Sequence, residues 1–151
     1  MTLPQTPLEL FASQLDWAHK NINNNLDFVH EGKLRWKPAP EAKSVLEIID
    51  HAAGTVHNFT YILMEEPKTA LAPATTIKEA KALITQVITA HLKTIQSLTP
   101  DAMEQTVTTP LGELPKGLIA ALPVVELINH HGQITYIQSL LGDSESHLIV
   151  A

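Results

Sequence analysis

The chain contains no cysteine, which excludes disulfide bridges and thiolate metal sites. Any thiol chemistry would therefore need a thiol carried by a second molecule. Basic residues are also scarce, since 10 Lys and Arg stand against 16 Asp and Glu, with a formal charge of −6 and no basic cluster. Binding to DNA or RNA requires a basic face that neutralises phosphates. We therefore predict that the chain binds no nucleic acid.

Long hydrophobic runs are missing as well. The longest, Leu118 to Val125, is far too short to cross a bilayer, and Met1 to Leu10 lacks the basic and apolar regions of a signal peptide. We therefore expect a soluble, cytoplasmic protein without membrane contact. A length of 151 residues with 44% hydrophobic content suits one domain with a proper core, and we predict a single domain over residues 1–151.

Apolar residues recur at helical spacing in four long segments, and none of these segments alternates as a strand would. The predicted helices are 7–29, 45–64, 77–98 and a last one that ends at Gly142. Thr6, Ser44 and Thr76 each precede a glutamate by three residues, which is the capping-box signature of a helix start. The predicted fold class is all-α, a four-helix bundle of up-down topology with a long third connector.

Proline-rich connectors separate the four segments and cannot continue a helix. The first two read "WKPAPEAK" and "EEPKTALAPATT". The third, "TPDAMEQTVTTPLGELPKG", is long, and its "TTPLGELP" part is predicted to form a short extended turn. Pro123 falls inside the fourth segment. A proline within a helix costs roughly 3 kcal/mol, so we expect either a kink or a short separate helix before Leu122.

One stripe of the fourth segment is apolar at both ends and polar in the middle. It consists of Ile119, Leu122, Glu126, His130, Gln133, Ile137 and Leu141. Burying a carboxylate without a partner is costly, so the polar residues need partners. A divalent cation would satisfy Glu126 and His130 together, because ligands at i and i+4 point the same way. The alternative is that Glu126 forms a salt bridge or that the stripe borders solvent.

A third ligand would come from another helix. His51 lies on the flank of the second segment's apolar stripe, where it would face a neighbouring helix. The alternative is a histidine hydrogen-bonded at a helix interface. His91 lies within the third segment's stripe, which favours a core residue and leaves it as an alternative ligand or a support to the ligands. The remaining histidines are predicted to be surface groups (His57, His131) or show no pattern (His19, His30, His147).

Two stretches of the sequence resemble a known family. "LRWKPAPEAKSVLEIIDHAAG" resembles the Trp-x-Pro and downstream histidine motif of the DinB-like, or YfiT-like, superfamily. "TTPLGELPKGLIAALPVVELINHHGQITYIQSLLGD" resembles its closing motif, in which a histidine is followed by x-Gly-Gln-Ile and a terminal Leu-Gly-Asp. That family typically holds a divalent metal with three histidines, one on the second helix and a His-x-x-x-His pair on the fourth. The resemblance implies that His51 and His130 are ligands, while Glu126 replaces the middle histidine.

The resemblance also implies a function. We expect a metal-dependent enzyme in which His51, Glu126 and His130 hold zinc, nickel, iron or manganese. Characterised relatives include thiol-dependent transferases that use a low-molecular-weight thiol as co-substrate. A metal-dependent hydrolase acting on a small molecule is the alternative enzyme class. The charge of Glu126 lowers the Lewis acidity of the ion, so the second hypothesis is a non-catalytic metal- or small-molecule-binding bundle with a degenerate site. Relatives often form homodimers through their helices, and the sequence neither requires nor excludes a homodimer.

Overall fold

The chain is described by a computed structural model over residues 4–150. Its elements, in chain order, are α1 (Pro7–Leu26), a 3-10 turn (Glu31–Lys33), α2 (Val45–Met64), α3 (Ile77–Gln96), α4 (Pro100–Glu104), β1 (Thr106–Thr109), β2 (Gly112–Pro115) and α5 (Lys116–Leu140). The four long helices form a bundle, which confirms the predicted four-helix bundle. Within residues 4–150, no helix is long and apolar enough to cross a membrane.

The helix starts follow the capping signals in the sequence. Ser44 caps α2 with a complete capping box: its hydroxyl accepts from the backbone N–H of Glu47, and the Glu47 carboxylate accepts from the backbone N–H of Ser44. That contact and a salt bridge to Lys37 lower the pKa of Glu47 to about 2, with Lys37 as the larger cause. Thr6 and Thr76 cap α1 and α3 in the same way with their hydroxyls.

The helices surround an aliphatic core, with α2 packed against α3 and α5, and α1 packed against the same two. α2 and α3 run in the same direction, because Asp50 near the start of α2 accepts from the N–H of Ala74, while Thr60 contacts His91 further along both helices. This differs from the simple alternation expected of an up-down bundle. The connector at 65–76 can return along α2, since its residues can span roughly 40 Å and a 20-residue helix is about 30 Å long.

Several boundaries differ from the sequence prediction. α1, α3 and α5 end at Leu26, Gln96 and Leu140, two or three residues before the predicted ends. The predicted extended turn is a two-stranded antiparallel hairpin in which Val107 pairs with Leu114. α5 continues through Pro123, so the separate short helix expected before Leu122 is not present.

His91 supports the backbone of α5 near this proline. Pro123 has no N–H to offer the preceding turn. One turn earlier, the carbonyl of Ala120 accepts from Nε2 of His91 at 3.1 Å. The other ring nitrogen of His91, Nδ1, lies 3.0 Å from the hydroxyl of Thr60. His91 is therefore a buried residue with both nitrogens occupied, and it connects three helices.

The residues after α5 fold back along α1, which the sequence did not predict. The buried side chain of Asn21 pairs with the backbone of Ile149, accepting from its N–H at 2.8 Å and donating to its carbonyl at 3.1 Å. Asn24 donates to the carbonyl of His147 at 2.6 Å. The asparagine side chains of α1 thus satisfy backbone groups of the terminal segment.

Candidate metal centre

Three side chains from two antiparallel helices converge at one edge of the bundle. His51 comes from α2, and Glu126 and His130 come from successive turns of α5. One ligand atom from each residue lies within 4.8 Å of the other two. Nε2 of His130 lies 3.3 Å from Oε2 of Glu126, and the rings of His51 and His130 are perpendicular with centroids 5.0 Å apart. The structure therefore brings together the three residues that the sequence proposed.

The hydrogen bond made by His130 indicates which of its nitrogens faces the cluster. Nδ1 of His130 lies 3.0 Å from Oε1 of Gln133, one turn further along α5. An amide oxygen only accepts, so Nδ1 carries the proton and donates it. In the neutral ring, Nε2 is then a bare lone pair directed towards His51 and Glu126. A hydrogen bond from the other ring nitrogen is the usual way in which proteins orient a metal-binding imidazole.

Nε2 of His130 is buried and has no hydrogen-bond partner among the described residues. Its contact with Glu126, although within ion-pair distance, does not have hydrogen-bond geometry. A lone pair that faces a carboxylate oxygen at 3.3 Å is unfavourable unless a positive charge lies between them. A divalent cation would remove this conflict, and two imidazoles with one carboxylate are an ordinary ligand set for such an ion. The residues present therefore fit a metal.

The cluster lies on the border of the buried surface and is accessible from one side. His130 is 4% exposed, the side chain of Glu126 is about one-third exposed, and His51 is exposed. The expectation that Glu126 lies in the middle of a buried stripe is therefore wrong. The buried face of α5 is centred on residues such as Leu127 and Ile134, about one position further round the helix. α5 is apolar on almost every side, so hydrophobic periodicity alone could not fix its orientation.

A surface cavity of about 340 Å³ lies one helical turn from the cluster, between α2, α5 and the loop before α2. Its floor includes Ile48, one turn before His51, and Gln133, which holds His130. Lys43 and Tyr136 also line it. A small molecule bound at the cluster would therefore have room to extend into this cavity. Lys43 and Tyr136 carried no signal in the sequence, because their approach depends on the packing of the loop against α5.

The solvent exposure of two histidines was predicted wrongly from the sequence. His57 and His131 were expected at the surface, but they are 7% and 8% exposed. His57 contacts the carbonyl of Thr69 at 3.0 Å, and His131 contacts Oδ1 of Asn25 at 2.7 Å. Burial lowers the pKa of His131. Their partners come from a connector and from another helix, so periodicity within one helix could not reveal them.

His91, the alternative ligand, lies away from the cluster. Both of its nitrogens are occupied by Thr60 and Ala120, and burial lowers its pKa, which keeps the ring neutral. Among the histidines without a pattern, His147 pairs with Asp143 at 2.7 Å and stacks on Phe28. His19 contacts Thr85, and His30 caps the 3-10 turn.

Comparison with known proteins places the chain in a family. A model of the DinB superfamily matches residues 14–134. The chain belongs to the DinB superfamily. The resemblance noted in the sequence is thus confirmed, and the matched range includes His51, Glu126 and His130. No functionally curated protein gives a significant match.

Solved structures share this DinB fold along most of their length. A DinB-like protein from Bacillus subtilis has 15% identity and a TM-score of 0.75, with 90% of this chain and 94% of that chain covered. A conserved protein from Enterococcus faecalis has 14% identity and a TM-score of 0.75, with 94% and 100% covered. A DinB-like protein from Bacillus cereus has 17% identity and a TM-score of 0.70, with 87% and 91% covered. At such identities the likeness shows the fold alone.

Proposed function

We propose that the chain binds one divalent metal ion through His51, Glu126 and His130 and is a metal-dependent enzyme acting on a small molecule. The observation that carries the proposal is the buried Nε2 of His130, which faces the Glu126 carboxylate and has no hydrogen-bond partner in the described part of the chain. A bound ion would supply Lewis acidity towards a nucleophile that reaches its open positions. The absence of cysteine means that no thiol of the chain competes for the ion.

The chain's own residues divide the remaining work. Oε1 of Gln133 accepts a hydrogen bond from Nδ1–H of His130 and so keeps the ring in the tautomer whose Nε2 faces the cluster. Glu126 supplies negative charge that neutral histidine would not, which favours retention of a cation and lowers its Lewis acidity. The cavity beside Gln133 gives a small substrate room next to the exposed side of the cluster. The reaction proposed first is transfer of a low-molecular-weight thiol to an electrophile, with hydrolysis as the second.

Metal content tests the first step. The wild-type chain, purified without added metal, is expected to retain about one equivalent of a divalent ion, measured by elemental analysis. His51→Ala and Glu126→Ala should lose most of it, whereas His19→Gln, a histidine change outside the cluster, should keep it. Less than about a tenth of an equivalent in the wild type, with unchanged thermal stability in chelator, would favour the alternative of a bundle with a degenerate, non-catalytic site.

Activity tests the second step. Metal-loaded protein is assayed with a low-molecular-weight thiol and an aryl halide, and separately with an activated ester. Turnover in one assay that is lost in His130→Ala would support the proposed enzymatic activity and would show whether the reaction is thiol transfer or hydrolysis. A fully loaded protein that is inert in both assays would contradict both reactions, while the metal site itself would stand.

A further inference from the structure

A second cavity lies away from the metal cluster, between the second halves of α2 and α3. Its volume is about 550 Å³, within the range of small-molecule sites. His51 lies on the side of α2 that faces α5, whereas this cavity opens on the side that faces α3. The cavity residues of α2 begin at His57, so the two sites are separated by about 9 Å or more along the helix axis.

The walls of this cavity combine apolar surface with a fixed polar edge. The apolar part includes Leu63, Val87 and Leu98. On the polar edge, the His57 ring is held by the carbonyl of Thr69 at 3.0 Å. Thr69 is held in turn by Tyr61, whose hydroxyl lies 3.0 Å from Oγ1 of Thr69. An apolar wall with a few oriented polar groups is typical of a pre-formed ligand site.

The charge of the cavity is opposite to that of the chain. The chain has 16 acidic residues and a net charge of −6, yet none of the residues that line this cavity is acidic. Lys93 lies at the edge, and its ammonium takes part in none of the ion pairs found in the described part of the chain. The neighbouring hydroxyls of Thr94 and Ser97 donate to backbone carbonyls of α3, which leaves Lys93 and the Gln86 amide as donors towards a ligand.

We propose that this cavity is a second small-molecule site, and that it binds an amphipathic anion. The acidic head group, a carboxylate or sulfonate, would lie beside Lys93, because this cation is in none of the ion pairs found within residues 4–150 and no carboxylate lines the cavity. The apolar body would lie against Leu63, Val87 and Leu98. The proposal needs no metal, so it stands or falls separately from the function of the His51 cluster.

The test uses anilinonaphthalene sulfonate, an amphipathic sulfonate whose fluorescence rises in an apolar site. The full chain is titrated in chelator, so that the sulfonate has no metal to bind. One saturable site per chain is expected, and octanoate, an amphipathic carboxylate, should compete for it. Ala90→Trp, an exposed position on the cavity wall, should weaken binding at least about ten-fold by filling the space.

Charge variants make the test specific. Lys93→Gln should weaken binding by about two- to five-fold, the size expected of a partly solvated charge contact. Lys78→Gln makes the same charge change at an exposed position in the first turn of the same helix and should leave binding unchanged. Circular dichroism checks that each variant is folded, because partly unfolded chains also bind this probe.

Chemical-shift mapping on the wild type gives a readout that needs no variant. Probe-induced shifts at methyl groups of Leu63, Val87 and Leu98 would support the site. The proposal would be overturned by the absence of saturable binding to the folded chain. It would also be overturned by shifts confined to the exposed face of α5 around Val125, or by equal affinity in Ala90→Trp.

Discussion

Gln133 is expected to control the affinity of the proposed metal site, although it is not one of the three proposed ligands. Its Oε1 accepts a hydrogen bond from Nδ1 of His130 at 3.0 Å, and its side chain is exposed, so replacement should not disturb the core. Gln133→Leu removes this acceptor and frees the ring to rotate or to change tautomer. Loss of such a supporting contact typically reduces metal affinity by about 10- to 100-fold.

The size of the effect can be followed by thermal unfolding. With free zinc at about 1,000 times the wild-type Kd, binding stabilises the folded chain by about 4 kcal/mol. A variant that binds 10- to 100-fold more weakly keeps about 2.7 to 1.4 kcal/mol of this gain. For a chain of this length, 1 kcal/mol shifts Tm by about 2 to 4 °C, so the zinc-dependent rise in Tm should shrink by about 3 to 11 °C.

Matched variants isolate the contact. Gln133→Glu keeps an acceptor for Nδ1 and should bind zinc with near wild-type affinity. Gln96→Leu, the same change at an exposed site on α3, should have no effect on zinc binding. Affinity is measured by competition with a zinc indicator dye. If Gln133→Leu binds zinc as tightly as the wild type, the proposed orientation of His130 is wrong.

Three further predictions concern stability and association. Ser44→Ala should lower the free energy of unfolding by about 1 kcal/mol, measured with urea, because the capping box of α2 is lost. The free energy of unfolding should fall as pH drops below about 6.5, because burial lowers the pKa of His91 and the unfolded chain then binds a proton that the folded chain does not bind. His91 contributes at most about 1.4 kcal/mol per pH unit to this fall. Urea midpoints at pH 7.5 and 5 for the wild type and His91→Leu check this. We also propose a homodimer through the outward face of α5, which carries exposed Leu118, Val125 and Tyr136, so sedimentation should show dimers for the wild type and monomers for Val125→Glu.

The sequence was sufficient where structure depends on neighbouring residues. Ser44 and Glu47 indicate the start of α2, because the two hydrogen bonds between them form within a single helical turn. α5 presents Glu126 and His130 on one side for the same reason, since residues four apart in a helix lie one turn apart. The position of His51 on the flank of its helix made it a candidate third ligand, and the family resemblance supported that choice; spacing within a single helix carries no information about the helix opposite.

The sequence was insufficient where distant segments meet. His131 lies inside the bundle because Asn25 of α1 accepts its hydrogen bond across 106 positions of sequence. His57 is covered by the connector that carries Thr69. The parallel course of α2 and α3 depends on how that connector returns along α2, which its composition does not specify. In each case the decisive partner lies outside the window in which hydrophobic periodicity operates.

Anomalous diffraction from crystals grown with zinc tests the central claim most directly. A single strong peak is expected about 2.0 to 2.2 Å from Nε2 of His130, from one carboxylate oxygen of Glu126 and from one ring nitrogen of His51. Data from a chelator-treated crystal should lack this peak. The absence of any peak among the three residues, or an ion bound instead by Asp143 and His147, would contradict the claim.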